Sequence, residues 1–167
     1  MSQYNNTIFY FIGTSVIDFL TIDSVQNITL HGLDQSPTIH CNYNVAIYES
    51  SHISFSNLLF QDCSIYFSYS SNITIASSVF KILRHMYNSV RLSLVFDSKI
   101  TSSVFDNAYI SIDYYPVCYN ELHHYSLTLT NVTLTNGSLM FNMNHGTSYN
   151  ISVVIDNVNI ISSSDSD

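Results

Sequence analysis

The sequence predicts an all-β chain wound into a parallel solenoid, with short strands stacked coil upon coil. Three observations carry this. Apolar residues recur with a period of two, the signature of strands rather than of helices. Gly and Pro number only four and two, while the chain holds 13 Tyr and 10 Phe beside many β-branched residues. Above all, a nine-residue phrase returns along the chain in the same phase, and a period of 20 to 30 residues marks a solenoid.

The phrase reads His52-Ile-Ser-Phe-Ser-Asn-Leu-Leu-Phe60, then Asn72-Ile-Thr-Ile-Ala-Ser-Ser-Val-Phe80. It returns as Ser126-Leu-Thr-Leu-Thr-Asn-Val-Thr-Leu134 and Ser152-Val-Val-Ile-Asp-Asn-Val-Asn-Ile160. Asn27-Ile-Thr-Leu-His-Gly-Leu33 opens the same way, and Lys99-Ile-Thr-Ser-Ser-Val-Phe105 matches with a deletion of one or two residues. Anchored on Ile28, Ile53, Ile73, Ile100, Leu127 and Val153, the copies lie 25, 20, 27, 27 and 26 residues apart. Each copy is a strand, a corner and a second short strand. The corner position holds Gly32, Asn57, Ser77, Asn131 and Asn157, types that tolerate left-handed backbone. A further apolar alternation precedes each phrase, at Val45/Ile47, Ile65/Phe67, Leu92/Leu94/Phe96, Ile110/Ile112 and Leu139/Phe141/Met143.

That makes three strands per coil, with equivalent strands of successive coils about 4.8 Å apart. Inward residues then stack on their like, Phe60 near Phe80 near Phe105. Gln61, Lys81 and Asp106 each follow one of these Phe residues, which places Lys81 and Asp106 on adjacent coils. An antiparallel sandwich also spaces strands at short intervals. It does not require one phrase to recur in phase, and the single Asn-Gly pair, Asn136-Gly137, is thin support for hairpins. One domain is expected over residues 1–161, followed by a polar acidic tail at 162–167.

Charge bounds the function. Only 10% of the 167 residues are charged, with net charge -8, whereas Ser and Asn together supply 45 residues. Nucleic-acid affinity comes from many Lys and Arg contacts to phosphate, so a nucleic-acid binder is not expected. A polybasic membrane anchor is not expected for the same reason. No apolar run approaches a spanning helix of roughly 18 residues. The four bases, Lys81, Arg84, Arg91 and Lys99, fall within one nineteen-residue window and form a candidate basic patch for an acidic glycan. Cys41, Cys63 and Cys118 lack metal-binding spacing. They read first as buried thiols, with a Cys41–Cys63 disulfide between neighbouring repeats as the alternative.

On Asn27-Ile-Thr-Leu-His-Gly-Leu, Pro37-Thr-Ile-His-Cys41 and Asn72-Ile-Thr-Ile, the chain resembles right-handed parallel β-helix proteins of the pectate-lyase-like superfamily, in particular predicted secreted β-helix proteins of marine invertebrates such as sponges. The likeness covers roughly residues 20–160. It implies a right-handed β-helix of about six coils and an extracellular or cell-surface setting. The superfamily holds lyases, hydrolases, adhesins and non-catalytic modules, so the resemblance specifies fold more than function.

The residues favour the non-catalytic kind. Lyases on this scaffold need clustered acids for calcium, which takes six to eight oxygen ligands, and hydrolases need two carboxylates across the scissile bond. Here Asp18, Asp23, Asp34, Glu49, Asp62, Asp97, Asp106 and Asp113 are scattered singly and read as turn residues. His145 in Asn144-His-Gly146 lacks partner motifs. His123 and His124 are adjacent, and neighbours in a strand point to opposite faces, so a metal shared with Cys118 and Glu121 is not expected. No catalytic, cofactor-binding or metal residue is therefore assigned. The insertion at 114–125 holds Tyr114, Tyr115, Tyr119 and Tyr125, a candidate binding loop, since tyrosine offers rigid area and a hydroxyl. Sequons at Asn5, Asn27, Asn72, Asn131, Asn136 and Asn150 are candidate glycosylation sites. The expected role is an extracellular β-helix module for structural or recognition purposes, binding glycan or protein and continuing into further coils or another domain. The alternative is a fragment of a polysaccharide lyase or glycoside hydrolase with its catalytic coils elsewhere.

Overall fold

A computed structural model describes residues 4–35, 37–83, 90–114, 124–143 and 150–162. The first coil is β1 (Thr7–Phe11), β2 (Thr14–Ile17) and β3 (Leu20–Asp23). The second is β4 (Gln26–Gly32), β5 (Thr38–Cys41) and β6 (Asn44–Tyr48), and the third is β7 (Ser51–Ser56), β8 (Leu59–Gln61) and β9 (Ser64–Ser68). Then follow β10 (Ser71–Ala76), β11 (Val79–Lys81) and β12 (Val90–Ser93), and β13 (Phe96–Thr101), β14 (Val104–Asp106) and β15 (Tyr109–Tyr114). The last strands are β16 (His124–Thr135), β17 (Ser138–Met143) and β18 (Asn150–Ile161).

Every strand pair among the described residues is parallel and joins successive coils, which excludes the antiparallel sandwich. The third strands form one six-stranded sheet, β17-β15-β12-β9-β6-β3. The first and second strands form separate faces that merge where β16 runs straight through the corner, pairing β13 with one half and β14 with the other. The result is a parallel β-solenoid of about 5 turns, close to the six coils expected, with three strands per coil.

The register corrects the sequence alignment at one copy. Ile28 pairs with Ile53 and Ile53 with Ile73, but Ile73 pairs with Ser98, and Ser98 with Leu127. The fourth phrase is therefore Asp97-Ser-Lys-Ile-Thr-Ser-Ser-Val-Phe105, complete and without a deletion. A buried serine stands where the other copies hold Ile, Leu or Val, and its hydroxyl donates to the Ser126 carbonyl at 3.2 Å. A first coil, absent from the phrase alignment, also precedes the others, with Thr7 in the Ile28 column.

Corners follow one rule. Asn57, Ser77, Ser102, Asn131 and Asn157 are left-handed between first and second strands, with φ of 55°, 48°, 49°, 54° and 51°. The backbone N–H groups of Asn57, Ser77 and Ser102 still donate to the next coil, at 3.2, 3.0 and 3.0 Å. Asp62, Asn107 and Asn136 do the same after the second strand, and Ser24, Glu49, Tyr69 and Leu94 after the third. Gly32 departs from the expectation, because its φ is not left-handed. Glycine is needed there for space: a Cβ would lie 2.0 Å from the Asn57 carbonyl oxygen and 2.6 Å from Pro37 Cδ.

The interior is a stack of like on like. Phe60, Phe80 and Phe105 lie face to face with centroids 4.9 and 4.7 Å apart, and each is 2% exposed or less. Cys41 and Cys63 are disulfide-bonded across adjacent coils, Cα to Cα 4.8 Å, so the alternative reading holds and the buried-thiol reading fails for this pair. Neighbouring coils bring ladder positions within disulfide range automatically.

Buried serines fill the corners. The Ser78 hydroxyl donates to the Ala76 carbonyl at 2.9 Å and accepts the Leu58 N–H at 3.4 Å, while the Ser78 N–H donates to the Ser103 hydroxyl at 3.2 Å. Ser50 and Ser70 repeat the arrangement at the preceding corner. Leaving such groups unpaired in the interior costs about 1–3 kcal/mol. Ser78→Ala is thus expected to lower unfolding free energy by about that amount; chemical denaturation with an unchanged m-value is the check, and a loss below about 0.5 kcal/mol would show the ladder to be dispensable.

Candidate functional site

Outward side chains stand in columns fixed by the register, and the three faces differ. On the third sheet, Tyr66 pairs with Arg91 and Arg91 with Ser111. The Arg91 guanidinium sits over the Tyr66 ring, 5.5 Å from its centroid, within cation–π range. Tyr48 meets Tyr66 edge to face at 5.9 Å and 77°.

The next column is Ser93, Asp113 and Asn142. Asp113 faces outward by strand parity yet is 0% exposed. Its carboxylate is ion-paired with Arg91 Nε and accepts Asn142 Nδ2 at 2.6 Å, with the Ser111 hydroxyl at 3.4 Å. A buried carboxylate needs such compensation. Here it ties three successive coils together and fixes the guanidinium over the tyrosine. The outcome is a rigid row of Tyr48, Tyr66 and Arg91 on one face. Sequence reasoning missed it, because Asp113 reads as a lone acid until the register sets it beside Asn142.

The first-strand face is a hydroxyl surface. One column runs Thr29, Ser54, Thr74, Lys99 and Thr128, and the other His31, Ser56, Ala76, Thr101 and Thr130. His31 Nδ1 and the Ser56 hydroxyl are hydrogen-bonded at 2.8 Å.

The described bases of the candidate patch, Lys81, Arg91 and Lys99, do not share a face. Lys81 lies on the second-strand face beside its expected partner Asp106, at 3.5 Å with side chains 45% and 30% exposed; such an exposed pair contributes under about 1 kcal/mol. Arg91 lies on the third sheet and Lys99 on the first. Arg84 falls outside the described residues.

The candidate tyrosine loop is likewise divided. Tyr114 and Tyr125 are each 2% exposed and pack ring to ring at 4.5 Å, with Tyr125 stacked on Phe96 at 4.9 Å. They are core residues at the mouths of β15 and β16, since Tyr125 shares strand parity with Leu127 and Leu129. Tyr115, Tyr119, Cys118, Glu121, His123 and His145 lie outside the described residues.

Of the sequon asparagines, Asn27, Asn72, Asn131, Asn136 and Asn150 are exposed and Asn5 is half-buried. Asn27 Nδ2 donates to Asn6 Oδ1 at 2.8 Å, and Asn131 Oδ1 accepts from Asn157 Nδ2 at 2.6 Å, so these two serve the corner ladders. The Asn5 Oδ1 accepts the Gln26 N–H at 2.8 Å.

At the N-terminal end, β1, β3 and β4 line a partly open apolar cavity of about 640 Å³, with Phe9, Phe11, Leu20, Ile22, Ile28 and Leu30 among its walls. This is the solenoid interior where the first coil leaves it open.

Burial pushes the Tyr114 hydroxyl up from 10.0 to about 12, with the neighbouring Tyr125 adding to the effect. A phenol whose pKa is raised by folding binds more protons folded than unfolded between those values. Its contribution is therefore complete below pH 10 and is lost as pH rises towards 12. The difference corresponds to roughly 3 kcal/mol. Ultraviolet titration of Tyr114→Phe against the parent is expected to remove a phenol titrating near 12 and flatten stability over that interval. A Tyr114 ionising with the exposed tyrosines would overturn it. Separately, Asp113→Ala is expected to destabilise the fold by about 1–3 kcal/mol, more than Asp106→Ala, with urea unfolding as the measure.

No protein-family model, no curated protein and no solved structure matches this chain.

Proposed function

We propose that this chain is a non-catalytic β-helix module of a secreted or cell-surface protein, of the pectate-lyase-like kind, whose third-sheet face recognises a glycan. The observation that carries the reading is the row of Tyr48, Tyr66 and Arg91 locked over the buried Asp113 carboxylate. Rigid aromatic rings with polar edges give stacking area to sugar C–H faces at little entropic cost. Arg91, already paired, offers directional N–H donors without a strong net charge. Two further observations support an extracellular setting. The Cys41–Cys63 bond belongs to an oxidising compartment, and five of the six sequon asparagines are exposed.

The reading is tested on a glycan array with the purified chain. Retention of defined glycans is expected, with at least a fivefold loss in Tyr48→Ala and Tyr66→Ala, the scale of one stacking contact of about 1 kcal/mol. Binding only to proteins in a parallel pull-down, with the array silent, would transfer the face to a protein partner. Arg91 beside a carboxylate is also the one feature that favours a fragment of a polysaccharide lyase. Calcium-dependent release of unsaturated uronate from pectin, abolished in Arg91→Gln, would establish that reading instead.

A further inference from the structure

We infer a second binding subsite on the first-strand face, centred on Lys99, for a sulfate or carboxylate group carried by a polyhydroxylated chain. Among the described bases, Lys81 and Arg91 each have an acid partner, Asp106 and Asp113. Lys99, among the described residues, has no ion pair and no side-chain hydrogen bond. The same holds for the hydroxyls that surround it. Thr74 and Thr128 flank Lys99 in its own column, one coil before and one after. Thr101 lies two residues along the strand and pairs with Thr130. None of these four hydroxyls is hydrogen-bonded within the protein.

The acids nearby do not neutralise the lysine. Asp97 is held at the corner by the Ser126 hydroxyl at 2.7 Å. Asp156 follows Thr130 in the outer column, one coil further on, and bars the anionic subsite from extending that way.

The chemistry of the set is specific. One ammonium supplies charge, and hydroxyls about 4.8 Å away on either side supply hydrogen bonds along the rod axis. A group with several acceptor oxygens, sulfate or carboxylate, matches a cation flanked by donors. Hydroxyls of the chain bearing it meet the flanking threonines, each of which donates and accepts. A polyanion spread along the rod is disfavoured by the net charge of -8. The subsite therefore fits a sparsely substituted glycan, read one anionic group at a time. This rests on the recognition reading only in taking the ligand to be a glycan, and it uses a different face.

The test compares binding to dextran, lightly sulfated dextran and lightly carboxymethylated dextran by affinity electrophoresis at low and moderate salt. The parent is expected to be retarded by at least one anionic dextran and not by dextran, with retardation weakened by salt. The sulfated and carboxymethylated arms identify the preferred group. Lys99→Gln is expected to lose at least about tenfold in affinity, the scale of one charge-assisted contact. Thr74→Val with Thr128→Val is expected to lose several-fold, and Arg91→Gln less than twofold. Circular dichroism confirms that each variant is folded. Unchanged binding by Lys99→Gln, or no retardation of the parent by either anionic dextran, overturns the inference. Glycan binding lost in Tyr66→Ala but kept in Lys99→Gln leaves the third-sheet reading standing alone. Lys99-dependent binding that survives Tyr66→Ala leaves this one standing alone.

Discussion

The backbone ladder that passes from coil to coil without breaking at the corners is the constraint on which the rest depends. Each corner must turn the chain sharply and still aim its N–H at the next coil. A left-handed residue does both, as Asn57, Ser77, Asp62 and Tyr69 show. That conformation costs roughly 1–2 kcal/mol for most L-residues and least for Asn and Asp. The abundance of Asn follows from this. So does the survival of a costly Leu94 at φ 53°, where 4% exposure of its side chain supplies the compensation. A second left-handed position opens the first strand at Asn27, His52, Asn72 and Asp97, and it is lost at Ser126 and Ser152, where β16 and β18 run on upstream.

Once the ladder is in register, every side chain has a neighbour of the same kind above and below, and this decides which residues the surface tolerates. Phenylalanines stack face to face inside. Like charges in one column would repel at about 4.8 Å. Columns accordingly alternate: Gln61, Lys81, Asp106 on one face and Tyr66, Arg91, Ser111 on another. The 10% charged content is thus a consequence of stacking. Corner serines extend the same logic inward, because a hydroxyl small enough for the corner can bond two coils at once.

What could be read from the residues was whatever repeats. The phrase, the three strands per coil, the Phe column, four of the five corners and the Lys81–Asp106 pair all depend on identity between copies. What could not be read depends on a copy that deviates or on a register not yet known. Ser98 shifts the fourth phrase out of register, onto Ile100 with an apparent deletion, because a polar residue occupies an apolar column. The first coil carries Thr7 where the next three carry Ile, and so escapes the alignment. Gly32 was assigned to a left-handed turn, yet it answers to the Asn57 carbonyl that sits against it. Tyr114 and Tyr125 read as members of the 114–125 insertion because they bound it, whereas both rings belong to the core at the ends of β15 and β16.

The same register explains why Lys81, Arg91 and Lys99, close in sequence, form no patch. In an irregular fold, nineteen residues of proximity would gather them. A solenoid instead spends that length on one circuit of the rod, so Lys81, Arg91 and Lys99 face three different ways. Each then takes its chemistry from its column. Asp106 follows Lys81, and Asp113 reaches Arg91 from the adjacent column, whereas Lys99 is bracketed by threonines. Paired with Asp113, Arg91 becomes a donor beside aromatic rings, whereas Lys99 stands on a plane of hydroxyls. Two faces of one rod thereby present different chemistry because each column, not the local sequence, decides what a base stands beside.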